Sequence, residues 1–128
     1  MSLKEKLHVL VVDDMSTSRG LITQALDVIG IKNYRTEADA ETAWQGLVAK
    51  PVHLVISDYN MPRKNGLELL AAIRSHQHIS RTGFILITGR PEQEIIDQGM
   101  KLGMNNYLKK PFDVAQMKAC IERVVGRL

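Results

Sequence analysis

Five polar residues, Asp13, Asp14, Asp58, Thr88 and Lys110, each stand directly after a short apolar run or at the end of one. If those runs are parallel strands of one sheet, their carboxyl ends lie side by side. Three carboxylates, a hydroxyl and an ammonium are then gathered in one crevice. Carboxylates at such separations repel by about 4 kcal/mol per pair at 4 Å and an effective dielectric near 20, so a cation must offset them. Mg²⁺ suits an all-oxygen site with few protein ligands, because coordination positions remain for water and a phosphoryl oxygen. The chemistry expected of the set is phosphoryl acceptance. With a metal and Lys110 drawing charge from an incoming phosphoryl group, a carboxylate can attack phosphorus in line and form an acyl phosphate. Asp58 is the better nucleophile, since it ends a central strand and precedes a Pro- and Gly-rich loop. Asp13 and Asp14 read as metal ligands. Thr88 can donate a hydrogen bond to the transferred group, and a hydroxyl that moves to do so links the chemistry to the neighbouring surface.

The elements that must position these residues follow a repeated βα pattern, with short Val- and Ile-rich runs alternating with segments of helical period. His8-Val-Leu-Val-Val12 is the first strand, and Ile22, Ala25, Leu26 and Ile29 line one face of the helix after it, with Ser16 or Thr17 as its cap and Gly30 as its stop. A polar second strand near Asn33 to Glu37 suggests a sheet edge, and a helix from about Asp39 to Ala49 stops before Pro51. His53-Leu-Val-Ile-Ser57 is the third strand, with a turn-rich loop and the helix Leu67 to Arg74 after it. Phe84 to Ile87 is the fourth strand. Gly89 and Pro91 open a helix reaching about Leu102, and Gly103 ends it. Asn106 to Lys109 is the fifth strand. Asp113 and Gln116 make a capping box for a last helix whose stripe is Met117, Ile121, Val124 and Leu128. The expectation is an α/β fold with a five-stranded parallel sheet, in one domain spanning 1–128.

Composition narrows the remaining function classes. The chain has 128 residues, 45% of them hydrophobic, enough for a core without disulfides or a structural metal. A net charge of +3 with no basic run longer than Lys109-Lys110 and few aromatics argues against nucleic-acid binding. Cys120 is the only cysteine and falls on an apolar helical position, which reads as a buried thiol in a reducing compartment. The charged start and the lack of any long apolar segment point to a soluble, cytoplasmic protein with no membrane span. His76 and His78, at i and i+2 in a polar loop, are poor chelators, and His8 and His53 read as strand-end residues. The methionines read as core filler, although Ile96 and Met100 share an outer helix face that could meet a partner.

Val11-Val12-Asp13-Asp14, Asp58-Tyr59-Asn60-Met61-Pro62, Gly66, Thr88 and Lys110-Pro111-Phe112 together resemble the receiver domains of two-component response regulators. The resemblance covers about Leu7 to Leu128. It implies a flavodoxin-like doubly wound sheet of order 2-1-3-4-5 and phosphorylation of Asp58. It also implies Mg²⁺ held by Asp13, Asp14, Asp58 and the Asn60 backbone carbonyl, with Asp13 acting partly through water. Thr88 and Tyr107 become a switch pair, and Lys110 a phosphate-contacting lysine before a cis bond to Pro111. Within the family, Ser16-Thr17-x-Arg19 and the long connection from Ser75 to Thr82 are most similar to the stand-alone, CheY-like chemotaxis regulators. The implied partners are a histidine kinase that donates from phosphohistidine and the flagellar motor switch or a phosphatase, for a monomer without an output domain. A phosphate sink, a phosphorelay intermediate or a single-domain regulator outside chemotaxis are the alternatives. Asn65, Gly89 and Arg90 depart from that group's usual aspartate, alanine and acid.

Two other classes share parts of the pattern. A haloacid-dehalogenase-like phosphatase needs a second acid two residues after its nucleophile, where this chain has Met15 after its acidic pair and Asn60 after Asp58. A flavodoxin-like nucleotide binder needs a small-residue phosphate loop, which Ser16, Thr17 and Ser18 mimic weakly behind two repelling acids.

Overall fold

In a computed structural model, which describes residues 2–128, the chain alternates strands and helices throughout. Met1, the first residue of the expected domain, lies outside the described residues. The elements are α1 (Leu3–Lys6), β1 (His8–Val12), α2 (Ser16–Ile29), β2 (Asn33–Glu37), α3 (Ala40–Ala49), β3 (Leu54–Asp58), α4 (Gly66–Arg74), β4 (Gly83–Thr88), α5 (Gln93–Lys101), β5 (Asn106–Lys109) and α6 (Val114–Val125). All strand pairs are parallel, as the βα pattern predicts, and the order is β2-β1-β3-β4-β5, as the family resemblance implies.

The alternation of side chains along each strand builds two cores. Val9, Val11, Leu54, Ile56, Ile85 and Ile87 face α2 and α6, which supply Ile22, Ala25, Leu26, Ile29, Met117, Cys120 and Ile121. On the other face Leu10, Val12, Val55, Phe84 and Leu86 meet α3 and α4, with Ala43, Leu47, Leu67, Leu70 and Ile73. Strands β1, β3 and β4 lie between these layers, which is why they read as unbroken apolar runs. β2 is the polar edge.

Several boundaries differ from the sequence reading, each for a local reason. Neither Ser16 nor Thr17 caps α2. The N-cap is Met15, whose N–H is taken by the Asp13 carboxylate (3.0 Å), so the hydroxyls are drawn into the first turn. Asp58 belongs to β3 itself, because its partner Ile87 continues the ladder. The Tyr59 N–H then donates to the Ile87 carbonyl at 2.9 Å. α5 begins at Gln93 and not at Gly89 or Pro91, since the Arg90 N–H is held by the Thr88 hydroxyl and the Glu92 N–H by the Arg90 carbonyl. α6 stops at Val125, where Gly126 takes φ 101°, so Leu128 packs on the core from outside the helix. The four-residue α1 was not expected; its apolar content is too small to show a period.

The connection from Ser75 to Thr82 is fastened from below by Arg74. Its guanidinium donates to the carbonyls of Ser80 (2.8 Å), Thr82 (2.6 Å) and Gly103 (2.9 Å). Burial lowers the Arg74 pKa, the expected direction for a cation removed from water. Asn65 and Glu68 exchange backbone and side-chain bonds in a capping box at the start of α4.

Gly66 follows that cap where the chain folds back under β3. A Cβ there would lie 2.5 Å from the Asp58 carbonyl oxygen and 2.8 Å from Leu86 Cδ1, so only glycine fits. Gly66→Ala should destabilise the protein by ~1–3 kcal/mol through overpacking. Urea unfolding measures this, and because the clash is with Asp58 itself, its amide resonance should shift more than those of α6.

Candidate functional site

The carboxyl ends of β1, β3, β4 and β5 meet at the edge where α2 begins. Asp13 follows β1 and is fully buried, its N–H bonded to the Glu37 carbonyl of the neighbouring strand (3.1 Å). Asp14, next in the chain, is exposed at the rim. Asp58 ends β3 and is 6% exposed. One carboxylate oxygen from each of the three lies within 4.8 Å of the others, which places three anions in one cluster.

Lys110 supplies the opposing charge. Its register is set by β5, where Lys109 pairs with Thr88 and the Lys110 N–H donates to the Thr88 carbonyl at 2.9 Å. The Lys110 to Pro111 peptide bond is cis. From there the ammonium reaches 3.2 Å from Asp58 Oδ1 and 3.7 Å from Asp13 Oδ2. One cation faces two buried anions and a third at the rim. Burial raises the Asp58 pKa above the ordinary carboxylate value, Lys110 opposes that shift, and the Asp13 charge adds to it.

Two residues that the sequence reading left out of the site complete its wiring. Lys110 Nζ donates to Ser18 Oγ at 2.9 Å, and the Ser18 hydroxyl donates in turn to Asp13 Oδ2. Arg19 donates to the Asp13 carbonyl at 2.7 Å, which fastens α2 to the end of β1. A signal for Ser18 was present in the sequence. It lies four residues before Ile22 and seven before Ala25, on the buried stripe of α2, where a hydroxyl is out of pattern.

Thr88 is the last residue of β4 and is 2% exposed. Its Oγ1 accepts the Arg90 N–H at 3.2 Å, which leaves its own proton to donate. Tyr107 pairs with Leu86 across β4 and β5, so it shares a sheet face with Thr88 two residues along. It is 38% exposed and therefore lies farther out than a half-buried strand aromatic. Asn60 is exposed on the loop after β3, in an open depression it shares with Asp14, Tyr59, Met61, Pro62 and Asn65. Of the three departures, Asn65 is occupied by its capping box. A Cβ at Gly89 would meet nothing within 4 Å, and Arg90 is exposed beside Thr88.

The remaining candidates lie away from this edge. His8 and His53 sit together at the opposite end of the sheet, where the His8 N–H donates to His53 Nδ1 (2.9 Å). His76 and His78 lie against each other with tilted rings, and Trp44 packs edge-on against His76. Cys120 is buried, and burial pushes its thiol up to about 11. Among the described residues no helix is long and apolar enough to cross a membrane.

An α/β sheet of order 2-1-3-4-5 with an acidic cluster and a lysine at its carboxyl edge is the architecture of a receiver. The family model of the response regulator receiver domain matches residues 9–122, and the chain belongs to that family. It is 41% identical over 128 residues to a probable chemotaxis protein CheY of Rhizobium etli, with 100% of this chain and 99% of that protein aligned. Among solved structures it is similar to chemotaxis protein CheY4 of Vibrio cholerae, with a TM-score of 0.86 and 28% identity over 92% of this chain and 98% of the other. It is also similar to the receiver domain of the sensor histidine kinase PA1611 of Pseudomonas aeruginosa, determined with a magnesium ion coordinated in its active-site cleft. That match has a TM-score of 0.81 and 25% identity over 94% and 98% of the two chains.

The raised Asp58 pKa sets the sign of a stability change. A carboxyl whose folded pKa lies above its unfolded value favours the fold most when protonated, so that contribution is lost as pH rises through the folded pKa. Asp58→Asn, which cannot ionise, should raise the thermal midpoint of the metal-free protein at neutral pH. Its stability advantage over the wild type should shrink as pH is lowered towards 4, and melting curves across pH measure both.

Proposed function

We propose that the chain is a response regulator that accepts one phosphoryl group on Asp58 from the phosphohistidine of a histidine kinase. The observation that carries this reading is the position of the Lys110 ammonium, 3.2 Å from Asp58 within a cluster of three carboxylates. A buried acid with a lone cation beside it and two further acids close by is poorly suited to a purely structural role.

The donor set is all oxygen, three carboxylates and a carbonyl, which fits a hard divalent cation. Asp13, Asp14, Asp58 and the Asn60 carbonyl are the residues that would hold Mg²⁺. When bound, the ion supplies charge neutralisation and an oriented seat for a phosphoryl oxygen. The known magnesium site of the Pseudomonas aeruginosa receiver supports the assignment. A carboxylate oxygen of Asp58 attacks phosphorus while the bond from phosphorus to the donor imidazole nitrogen breaks. The second ring nitrogen of the phosphohistidine carries a proton, so the ring takes the electron pair of the broken bond and leaves as neutral imidazole, with aspartyl phosphate as the other product. Lys110 follows the charge as it moves from the carboxylate to the phosphoryl oxygens, and Thr88 has a free proton to donate to one of them. If the Thr88 hydroxyl moves toward that oxygen, its bond to the Arg90 N–H at the start of the β4 to α5 connection is the contact that would give, on the sheet face where Tyr107 lies. This is the switch that the pair Thr88 and Tyr107 would form.

The full-length likeness to a probable chemotaxis protein supports a role in chemotaxis, with a histidine kinase upstream and the flagellar motor switch or a phosphatase downstream. A phosphate sink would use the same chemistry without the motor. We assign the protein no activity beyond forming and losing its own aspartyl phosphate, and we place it in the cytoplasm as a monomer.

Incubation with acetyl phosphate and Mg²⁺ should add one phosphoryl group by intact mass. Asp58→Asn and chelation of the metal should each abolish the addition, and Lys110→Ala should slow it by about 100-fold or more. Addition that persists in Asp58→Asn at wild-type rate would remove Asp58 from the role.

A further inference from the structure

We propose that Ser18 is a positioning residue of this site. Its hydroxyl acts as a wedge that keeps the Lys110 ammonium on Asp58 by occupying the Asp13 oxygen that competes for it. The proposal rests on the phosphoacceptor reading of Asp58.

Lys110 lies between two buried carboxylates, with Asp58 Oδ1 at 3.2 Å and Asp13 Oδ2 at 3.7 Å. The two attractions differ little, so geometry alone does not hold the nitrogen at Asp58. Ser18 breaks the tie. A serine hydroxyl has one proton, and here it goes to Asp13 Oδ2, so the lone pairs of Oγ face Lys110 and accept from Nζ at 2.9 Å. The other Asp13 oxygen, Oδ1, accepts the Met15 N–H at 3.0 Å. Both oxygens of Asp13 therefore have a donor that is not Lys110, and the ammonium keeps Asp58 as its nearest anion.

The consequence is largest after transfer. Formation of the bond between Asp58 and phosphorus moves the negative charge from the carboxylate to the phosphoryl oxygens, so Lys110 must shift to follow it while Asp13, 3.7 Å away, remains a competing buried carboxylate. Without the hydroxyl between them, the ammonium would close on Asp13, away from the phosphoryl oxygens and against a residue assigned to the metal. The serine is well anchored for this task, because Ile22, Ala25 and Ile29 fix its helix face against the sheet and Arg19 ties the adjacent turn to the Asp13 carbonyl.

Ser18→Ala and Ser18→Thr test the role, the second keeping the hydroxyl. In ¹⁵N spectra of the side-chain ammonium groups, Lys110 should give a signal protected from water exchange in the wild type and in Ser18→Thr, and lose it in Ser18→Ala. At saturating Mg²⁺, labelling by acetyl phosphate should slow about tenfold in Ser18→Ala and stay within about threefold of wild type in Ser18→Thr. A Lys110 signal unchanged in Ser18→Ala, or a wild-type labelling rate in that variant, overturns the proposal. A wild type that takes no phosphoryl group at all contradicts the reading of Asp58, and the ammonium signal alone then decides whether Ser18 holds Lys110.

Discussion

The carboxylates of Asp13 and Asp58 are both buried, lie a few ångströms apart, and share one ammonium between them. That imbalance is the constraint around which the rest of the molecule is arranged. Removing a carboxylate from water is expensive, and a second one beside it adds repulsion that a single lysine offsets only in part. The fold spends part of its stability on holding this arrangement in place. A divalent cation at the cluster would relieve that repulsion.

The sheet makes such an arrangement possible. Asp13 and Asp58 come from adjacent strands, β1 and β3, and Lys110 from β5 beyond β4, so residues far apart in the chain arrive at one edge by register alone. Two packed faces, with α2 and α6 on one side and α3 and α4 on the other, remove the freedom of the strands to slip. Local devices then set individual side chains. Gly66 lets the chain pass within contact of the Asp58 carbonyl, and the turn after β4 engages the Thr88 hydroxyl through Arg90. The rim, where Asp14 and Asn60 are exposed, is by contrast open to solvent.

Much of this was legible in the sequence because the strands are buried on both faces. An apolar run such as Val9 to Val12 marks its own end by the first charged residue, and the end of a strand is where a ligand site forms. What stayed hidden depends on competition for hydrogen bonds. Ser16 and Thr17 have the right chemistry for a cap, but the helix starts one residue earlier, with Met15 at the N-cap and its N–H held by the Asp13 carboxylate. Gly89 and Pro91 look like a helix start, yet the Thr88 hydroxyl delays α5 to Gln93. The tie from Ser18 to the site is invisible locally, because its partner Lys110 lies 92 residues away and no local pattern joins them. A hydroxyl on an otherwise apolar helix stripe is the kind of exception that marks such a residue.

The central claim is that this cluster is built around a missing positive charge, and calorimetric titration of Mg²⁺ into the metal-free protein tests it most directly. One saturable site is expected, with an affinity that rises with pH as the Asp58 carboxyl, its pKa raised by burial, ionises, and that falls by about tenfold or more when Asp13 or Asp14 is replaced by asparagine. Failure to saturate, or an affinity indifferent to both substitutions, would show that the three acids do not act as one cation site.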